Sequence, residues 1–335
     1  MIQIFITFVS VALIRKLNLI PYKMKKIILS IAAMVMTAGL ISAQDMAQAT
    51  ELYNNGATAI SMKNWTEALD YFQKALEMGQ TLGEEAEELV TNCKNAIPGV
   101  SLQIAKDLIK EGKYDEAAPK LDAAAKIAEE YGNEDVAAEA TSLVPQMWLQ
   151  KGVDALKLKD YATAAEGFAQ SYAIDTTAAK TAIYLGQALG QLGKTDEAVE
   201  AFQHAAWNGE EEAAMKHISG LYVKEANSAF KAQKWADAIK AAEKANSYCE
   251  DHTAYLIAGQ ASQKLSKNND AIKNFEKYLE LKPDAKNANA ITYTVAALYQ
   301  GAKNNAKAIE YYKKVQNDPK FGAQAKQMIT ALGGK

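Results

Sequence analysis

Arginine is almost missing from this chain: Arg15 is the single one among 335 residues. A guanidinium is the planar, two-pronged donor that grips phosphate, so nucleic acid is not an expected partner. Cysteine occurs twice, at Cys93 and Cys249, too far apart in sequence to read as a disulfide framework; both read as buried small hydrophobes. The three histidines, His204, His217 and His252, have no Cys, Asp or Glu at metal-ligand spacing, and read as lone surface side chains. No glycine-rich phosphate loop is present, because Gly190-Gln191-Leu192-Gly193 closes a helix and reads as a turn. No Ser or Cys sits in a nucleophile motif. Neither catalysis nor a cofactor is expected; a buried cluster of acidic residues or histidines would be needed to argue for an enzyme.

Proline is scarce, six in all, and no run alternates β-branched with polar residues. The abundance of Ala, Lys, Glu, Leu and Gln makes the chain all-helical. The leader-like start, residues 1–43, holds Arg15, Lys16, Lys23, Lys25 and Lys26 and no acidic residue. Met24-Lys25-Lys26, then Ile27 to Leu40, then Ile41-Ser42-Ala43 follow the charged, apolar, small-residue order of a secretory signal peptide, with cleavage expected after Ala43. Met1 to Lys23 fits that order poorly, and translation from Met24 would resolve it. An uncleaved anchor is the alternative, but the apolar run is shorter than the roughly 20 residues of a spanning helix, so no stable membrane span is expected after cleavage. No Cys near the cleavage point offers a lipidation site. Losing five basic residues takes the formal net charge from −3 to −8 and leaves residues 44–335 acidic. Export to the periplasm or outer envelope is the expectation.

Residues 251–283 contain the clearest copy of a repeated unit. Tyr255 and Gly259 lie one turn apart on a first helix, A, while Ala271, Phe275 and Tyr278 share a face of a second, B, before Pro283. Seven positions take the place of Ala271: Ala68, Ala117, Ala164, Ala198, Ala238, Ala271 and Ala308. Four residues after these anchors stand Phe72, Leu121, Phe168, Phe202, Ala242, Phe275 and Tyr312, on the same helix face. Twelve before them, on helix A, stand only small residues: Gly56, Ala105, Gly152, Gly186, Ala226, Gly259 and Ala296. Small residues on both helices let the backbones approach, and the ring fills the space beyond. Trp65, Tyr114, Tyr161 and Trp235 stand three before their anchors, whereas Asn268 and Asn305 replace the aromatic in the last two units.

This pattern resembles the tetratricopeptide repeat, whose helical hairpins stack into a superhelix and commonly bind other proteins. The resemblance implies an all-α, right-handed α-α superhelix filling residues 44–335 as one solenoid. Anchor spacings of 49, 47, 34, 40, 33 and 37 leave two intervals longer than the family's period of about 34. The excess lies in residues 82–97 and 131–144, read as lengthened or extra helical segments ending where Pro98 and Pro145 start a helix; a hidden degenerate repeat is the alternative. Asn64 and Asp160 are expected N-caps, with Glu67 completing a capping box for the first. The stretch around Gly209 is expected to be a loop leading into an acidic first helical turn, and Phe321 to Leu332 a C-terminal capping helix. Trp207 fits no slot of the pattern.

The resemblance also implies that helix A lines a concave surface, with the positions 15, 11 and 8 before each anchor facing inward. These give Ile183, Gln187, Val223, Asn227, Phe230, Leu256, Gln260, Gln263 and Tyr293 as a candidate groove for a protein or peptide segment. Amides donate to and accept from a backbone, while apolar neighbours bury a partner's side chains. The competing reading is that they pack or hydrogen-bond between adjacent A helices. A chaperone-tail clamp of Lys, Asn and Arg is matched by Asn227 alone. The function expected is a non-catalytic protein-binding scaffold of the cell envelope, with glycan binding on an aromatic cleft as the alternative.

Overall fold

The computed structural model describes residues 43–334, and every regular element among them is helical. The expected signal peptide lies outside the described residues except for Ala43, the first residue of α1. Seven hairpins follow in order: α1 (Ala43–Ser61) with α2 (Trp65–Leu82), α3 (Glu87–Lys110) with α4 (Tyr114–Glu130), α5 (Glu134–Lys157) with α6 (Tyr161–Ile174), α7 (Ala179–Gln191) with α8 (Thr195–Ala205), α9 (Glu211–Lys231) with α10 (Trp235–Tyr248), α11 (His252–Lys264) with α12 (Asn268–Leu281), and α13 (Ala288–Gly301) with α14 (Asn305–Val315). A final helix, α15 (Gly322–Ala331), buries Ala325 and Ile329 among the residues of α14, as a capping helix should. The described residues fall into two compact units, divided between Val153 and Asp154.

The repeat pattern becomes packing without exception at the anchors: all seven alanines are fully buried. The residues four positions on, from Phe72 to Tyr312, are buried too. At Gly56, Gly186 and Gly259 the ring of the B helix lies directly on the backbone of helix A. A Cβ added at Gly56 would stand 2.9 Å from Phe72, one at Gly186 2.7 Å from Phe202, and one at Gly259 2.6 Å from Phe275. Those distances are below van der Waals contact, so glycine there is required by the neighbour's ring rather than by its own backbone angles. Hairpins 2 and 5 solve the same crossing with Ala105 facing Leu121 and Ala226 facing Ala242, all four fully buried.

All seven hairpin turns share one closure. The residue five before each anchor has a positive φ, between 57° and 77°: Lys63, Gly112, Lys159, Gly193, Gln233, Ser266 and Lys303. The next residue donates its backbone N–H to the carbonyl five positions earlier, as in Asn64 to Ala59 and Lys267 to Ser262, both at 2.9 Å. This Schellman closure satisfies helix-end carbonyls that would otherwise be orphaned. Only two of the seven positions are glycine, so five turns place an L-residue in a left-handed conformation that costs roughly 1 kcal/mol each.

Several expectations are corrected. Pro98 and Pro145 do not start helices; each lies inside a continuous 24-residue helix, α3 and α5. A proline removes one intrahelical donor, and tertiary packing on α3, where Pro98 is buried, offsets that loss. The long intervals are therefore lengthened A helices, preceded at α3 by a 3-10 turn over Gly83–Ala86. Asp160 caps α6 through the N–H of Thr163 at 3.2 Å, whereas Asn64 makes no cap bond and donates its amide to the Glu67 carboxylate instead. Cys249 is only half-buried, because it ends α10 in extended backbone. Cys93 is fully buried, and burial pushes its thiol up to about 12, leaving it neutral and unreactive. Around Gly209, whose φ is 100°, a kinked segment over Ala206–Glu210 leads into the acidic first turn of α9, with Glu211 and Glu212.

In the first unit, Tyr53 tilts against Phe72 at 5.2 Å and shares a core with Cys93 and Ile97 of α3. Lys151 is buried on α5, its Nζ 2.7 Å from Asp115 of α4 and 5.0 Å above the Trp148 ring. In the second unit, Tyr293 of α13 lies against Tyr312 of α14 and stacks on Phe321 before α15, at 5.2 and 5.4 Å.

Candidate partner-binding surface

The nine groove candidates fall on four A helices of the second unit: Ile183 and Gln187 on α7, Val223, Asn227 and Phe230 on α9, Leu256, Gln260 and Gln263 on α11, and Tyr293 on α13. The structure sorts them into two groups. Ile183 is buried. Gln187 reaches across to α9 and hydrogen-bonds the His217 ring at 3.1 Å. Phe230 meets the Trp235 ring edge-on at 4.9 Å, closing its own hairpin. Tyr293 is occupied by Tyr312 and Phe321. These four serve packing within the unit.

The other five remain at the surface. Asn227 and Gln263 are exposed, while Val223, Leu256 and Gln260 are half-buried. They lie on the neighbouring helices α9 and α11, where Leu256 also packs in part against the core around Phe275.

His217 is not the lone surface residue expected from sequence. It stacks on Phe202 at 5.1 Å and 9°, and burial, with Lys216 alongside, lowers its pKa. The neutral ring ties α9 back to α7 and α8. Neither partner is near it in sequence, and no local motif marks the contact.

A second concavity, which sequence reasoning missed, opens between α6, α7 and α8. It offers about 590 Å³ of open groove, lined by Ala165, Ala169, Leu185, Leu189 and Ala201 together with Tyr172. Glu166, Glu197, Glu200, Lys194 and His204 stand among its lining residues. Trp207 is 75% exposed and meets the His204 ring edge-on at 5.1 Å. The signal was present in the sequence as small residues outside the shared pattern, but only the stacking of hairpins shows that they face one space.

The corresponding junction between hairpins 6 and 7 holds a polar network. Tyr299 of α13 and Tyr311 of α14 both donate to one carboxylate oxygen of Glu276 on α12, each at 2.8 Å. Partial burial, then the Glu276 contact, pushes the Tyr299 phenol up to about 12 and raises Tyr311 as well. Among the described residues no group of three or more His, Cys, Asp or Glu could hold a metal, and no helix is long and apolar enough to cross a membrane.

Buried small anchors, rings seated on facing helices and a uniform hairpin closure define a helical-repeat scaffold. The family model for the tetratricopeptide repeat matches residues 183–206 and 252–285, so the chain carries tetratricopeptide repeats there. The second match coincides with the unit from which the pattern was read. No curated protein sequence matches the chain significantly. Among solved structures, a crystal structure of MamA aligns at 17% identity over 55% of this chain and 96% of its own, with a TM-score of 0.36. The TPR2AB domain of yeast Sti1, in complex with an HSP90 peptide, aligns at 19% identity over 86% of this chain and 99% of its own, with a TM-score of 0.34. PilF of Pseudomonas aeruginosa aligns at 16% identity over 56% and 82%, with a TM-score of 0.29.

Proposed function

We propose that this protein is a non-catalytic scaffold, exported to the periplasm or outer envelope, that binds a segment of another protein on the α9–α11 face. The observation that carries the reading is the split within the groove candidates. Four are consumed by packing, while Asn227, Gln260 and Gln263 keep their amides at the surface beside Val223 and Leu256. Amides beside apolar patches are suited to an extended or helical segment, whose backbone and side chains they meet in turn. Export rests on the charged, apolar and small-residue order of residues 24–43.

Glycan binding has less support. Of the four tryptophans only Trp207 is exposed, so no cluster of exposed indole rings forms a platform for a sugar. The test of the leading reading is Asn227→Glu with Gln260→Glu, both at non-anchor positions. With circular dichroism unchanged, the pair is expected to abolish capture of the envelope partner recovered by the unaltered chain; undiminished capture would sink the α9–α11 assignment. Fractionation of cells carrying the tagged chain tests export, and retention in the cytoplasm would refute it.

A further inference from the structure

The cavity between α6, α7 and α8 has a filled counterpart in the same unit. Ala169 stands five residues after the anchor of hairpin 3, where hairpin 6 has Glu276. Leu189 stands nine before the anchor of hairpin 4, where hairpin 7 has Tyr299, and Ala201 three after it, where hairpin 7 has Tyr311. In the filled junction the two tyrosyl rings lie 5.7 Å apart and share the Glu276 carboxylate. Replacing that trio by Ala, Leu and Ala removes two rings and a carboxylate, and about 590 Å³ stays open. The open junction is also acidic at its edge. Glu166, Glu197 and Glu200 line it together with Lys194 and His204; the Lys194 ammonium lies 3.1 Å from Glu197 and the His204 ring 4.0 Å from Glu200.

We propose that this cavity is a docking site for an aromatic side chain, specifically a tyrosine, flanked by lysine on a segment of a partner protein. The filled junction shows which side chain this space accepts, because the molecule places tyrosines there itself. The rim sets the charge: carboxylates accept a hydrogen bond from a phenol hydroxyl as Glu276 does, and they favour cations beside it. The site lies on α6, α7 and α8 and does not use the α9–α11 face.

The probes are three short peptides titrated into the full-length chain: acetyl-Lys-Tyr-Lys-amide, acetyl-Lys-Ala-Lys-amide and acetyl-Glu-Tyr-Glu-amide. The readouts are calorimetry and the indole N–H resonance of Trp207, assigned by its loss in Trp207→Phe. The first peptide is expected to bind and shift that resonance. The alanine peptide should bind at least about tenfold more weakly, since burying a ring contributes about 1.5–3 kcal/mol, and the glutamate peptide should also bind more weakly, since its carboxylates meet Glu166, Glu197 and Glu200; a glutamate peptide that binds as well as the first overturns the charge assignment. Equal binding of the alanine peptide, or no binding of the first, overturns the proposal. The triple change Ala169→Glu, Leu189→Tyr and Ala201→Tyr rebuilds the filled junction from the chain's own residues, and should eliminate binding with the helical signal intact. If the triple variant does not fold, Ala169→Met alone narrows the cavity and should weaken binding at least about fivefold; unchanged affinity in a folded variant counts against the site. Asn227→Glu with Gln260→Glu should leave this binding unchanged, which separates failure here from failure of the α9–α11 groove.

Discussion

The α6/α7/α8 and α12/α13/α14 junctions are built on the same frame and end differently. In both, a fully buried alanine anchors each B helix, and the phenylalanine or tyrosine one turn on is buried as well. Beyond that layer the first junction places Ala169, Leu189 and Ala201 around open space, and the second places Glu276, Tyr299 and Tyr311 around a shared hydrogen bond. The repeat therefore constrains the inside of a hairpin far more than the outer seam between hairpins. Seams are where copies of one unit can acquire different chemistry.

The largest test of this division is inside the hairpins. Phe202→Ala and Phe275→Ala should each cost about 3–5 kcal/mol in urea melts, because each removes a buried ring seated on a glycine. A much smaller loss at Phe202 would mean that the open junction is loose throughout, not only at its seam.

Next comes the seam itself. Glu276→Gln should cost about 1–2 kcal/mol by weakening the acceptor of two phenols. It should also bring the ionisation of Tyr299 down from about 12, read by ultraviolet titration. The folded pKa is raised, so the neutral phenol favours folding below the ordinary value near 10. That contribution is lost as pH rises toward 12, and the alkaline loss of stability should be shallower in the variant.

A smaller effect is expected at His217, whose lowered pKa reflects burial first and Lys216 second. The unfolded chain takes up the proton more readily, so stability present above the ordinary value of 6.5 should fall as pH drops below it. His217→Gln should flatten that acid limb; an unchanged limb would remove His217 as its cause.

The smallest test exchanges turns between the two junctions. Ser266→Gly should stabilise, and Gly193→Ala destabilise, by about 0.5–1 kcal/mol in urea melts, since both positions have positive φ.

Much of this architecture was legible in sequence, for a physical reason. Steps of three and four residues return to one face of a helix, so Ala271, Phe275 and Tyr278 could be placed together from spacing alone, and all are buried. Spacing does not report what lies across a gap in the chain. The Gln187–His217 contact joins residues 30 apart. Of the nine groove candidates, four proved to serve packing, because the same offsets that line a helix A face also meet the next helix. Left-handed turns at Lys63, Gln233 and Ser266 were equally hidden, since no glycine marks them. Proline misled in the other direction: Pro98 and Pro145 look like helix starts locally, yet α3 and α5 run through them, with Pro98 buried among its neighbours. The cavity was invisible because it consists of side-chain volume that is missing from two hairpins at once.

The contact between each glycine and its ring also constrains the order in which a hairpin can change. A methyl group gained at Gly259 while Phe275 is present would stand 2.6 Å from the ring, whereas a ring shortened first leaves room for it. Drift from a glycine–phenylalanine hairpin to an alanine–leucine one therefore has one passable direction, through the smaller ring partner. The glycines at 56, 186 and 259 are the slow positions of the repeat, held in place by a neighbour sixteen residues later.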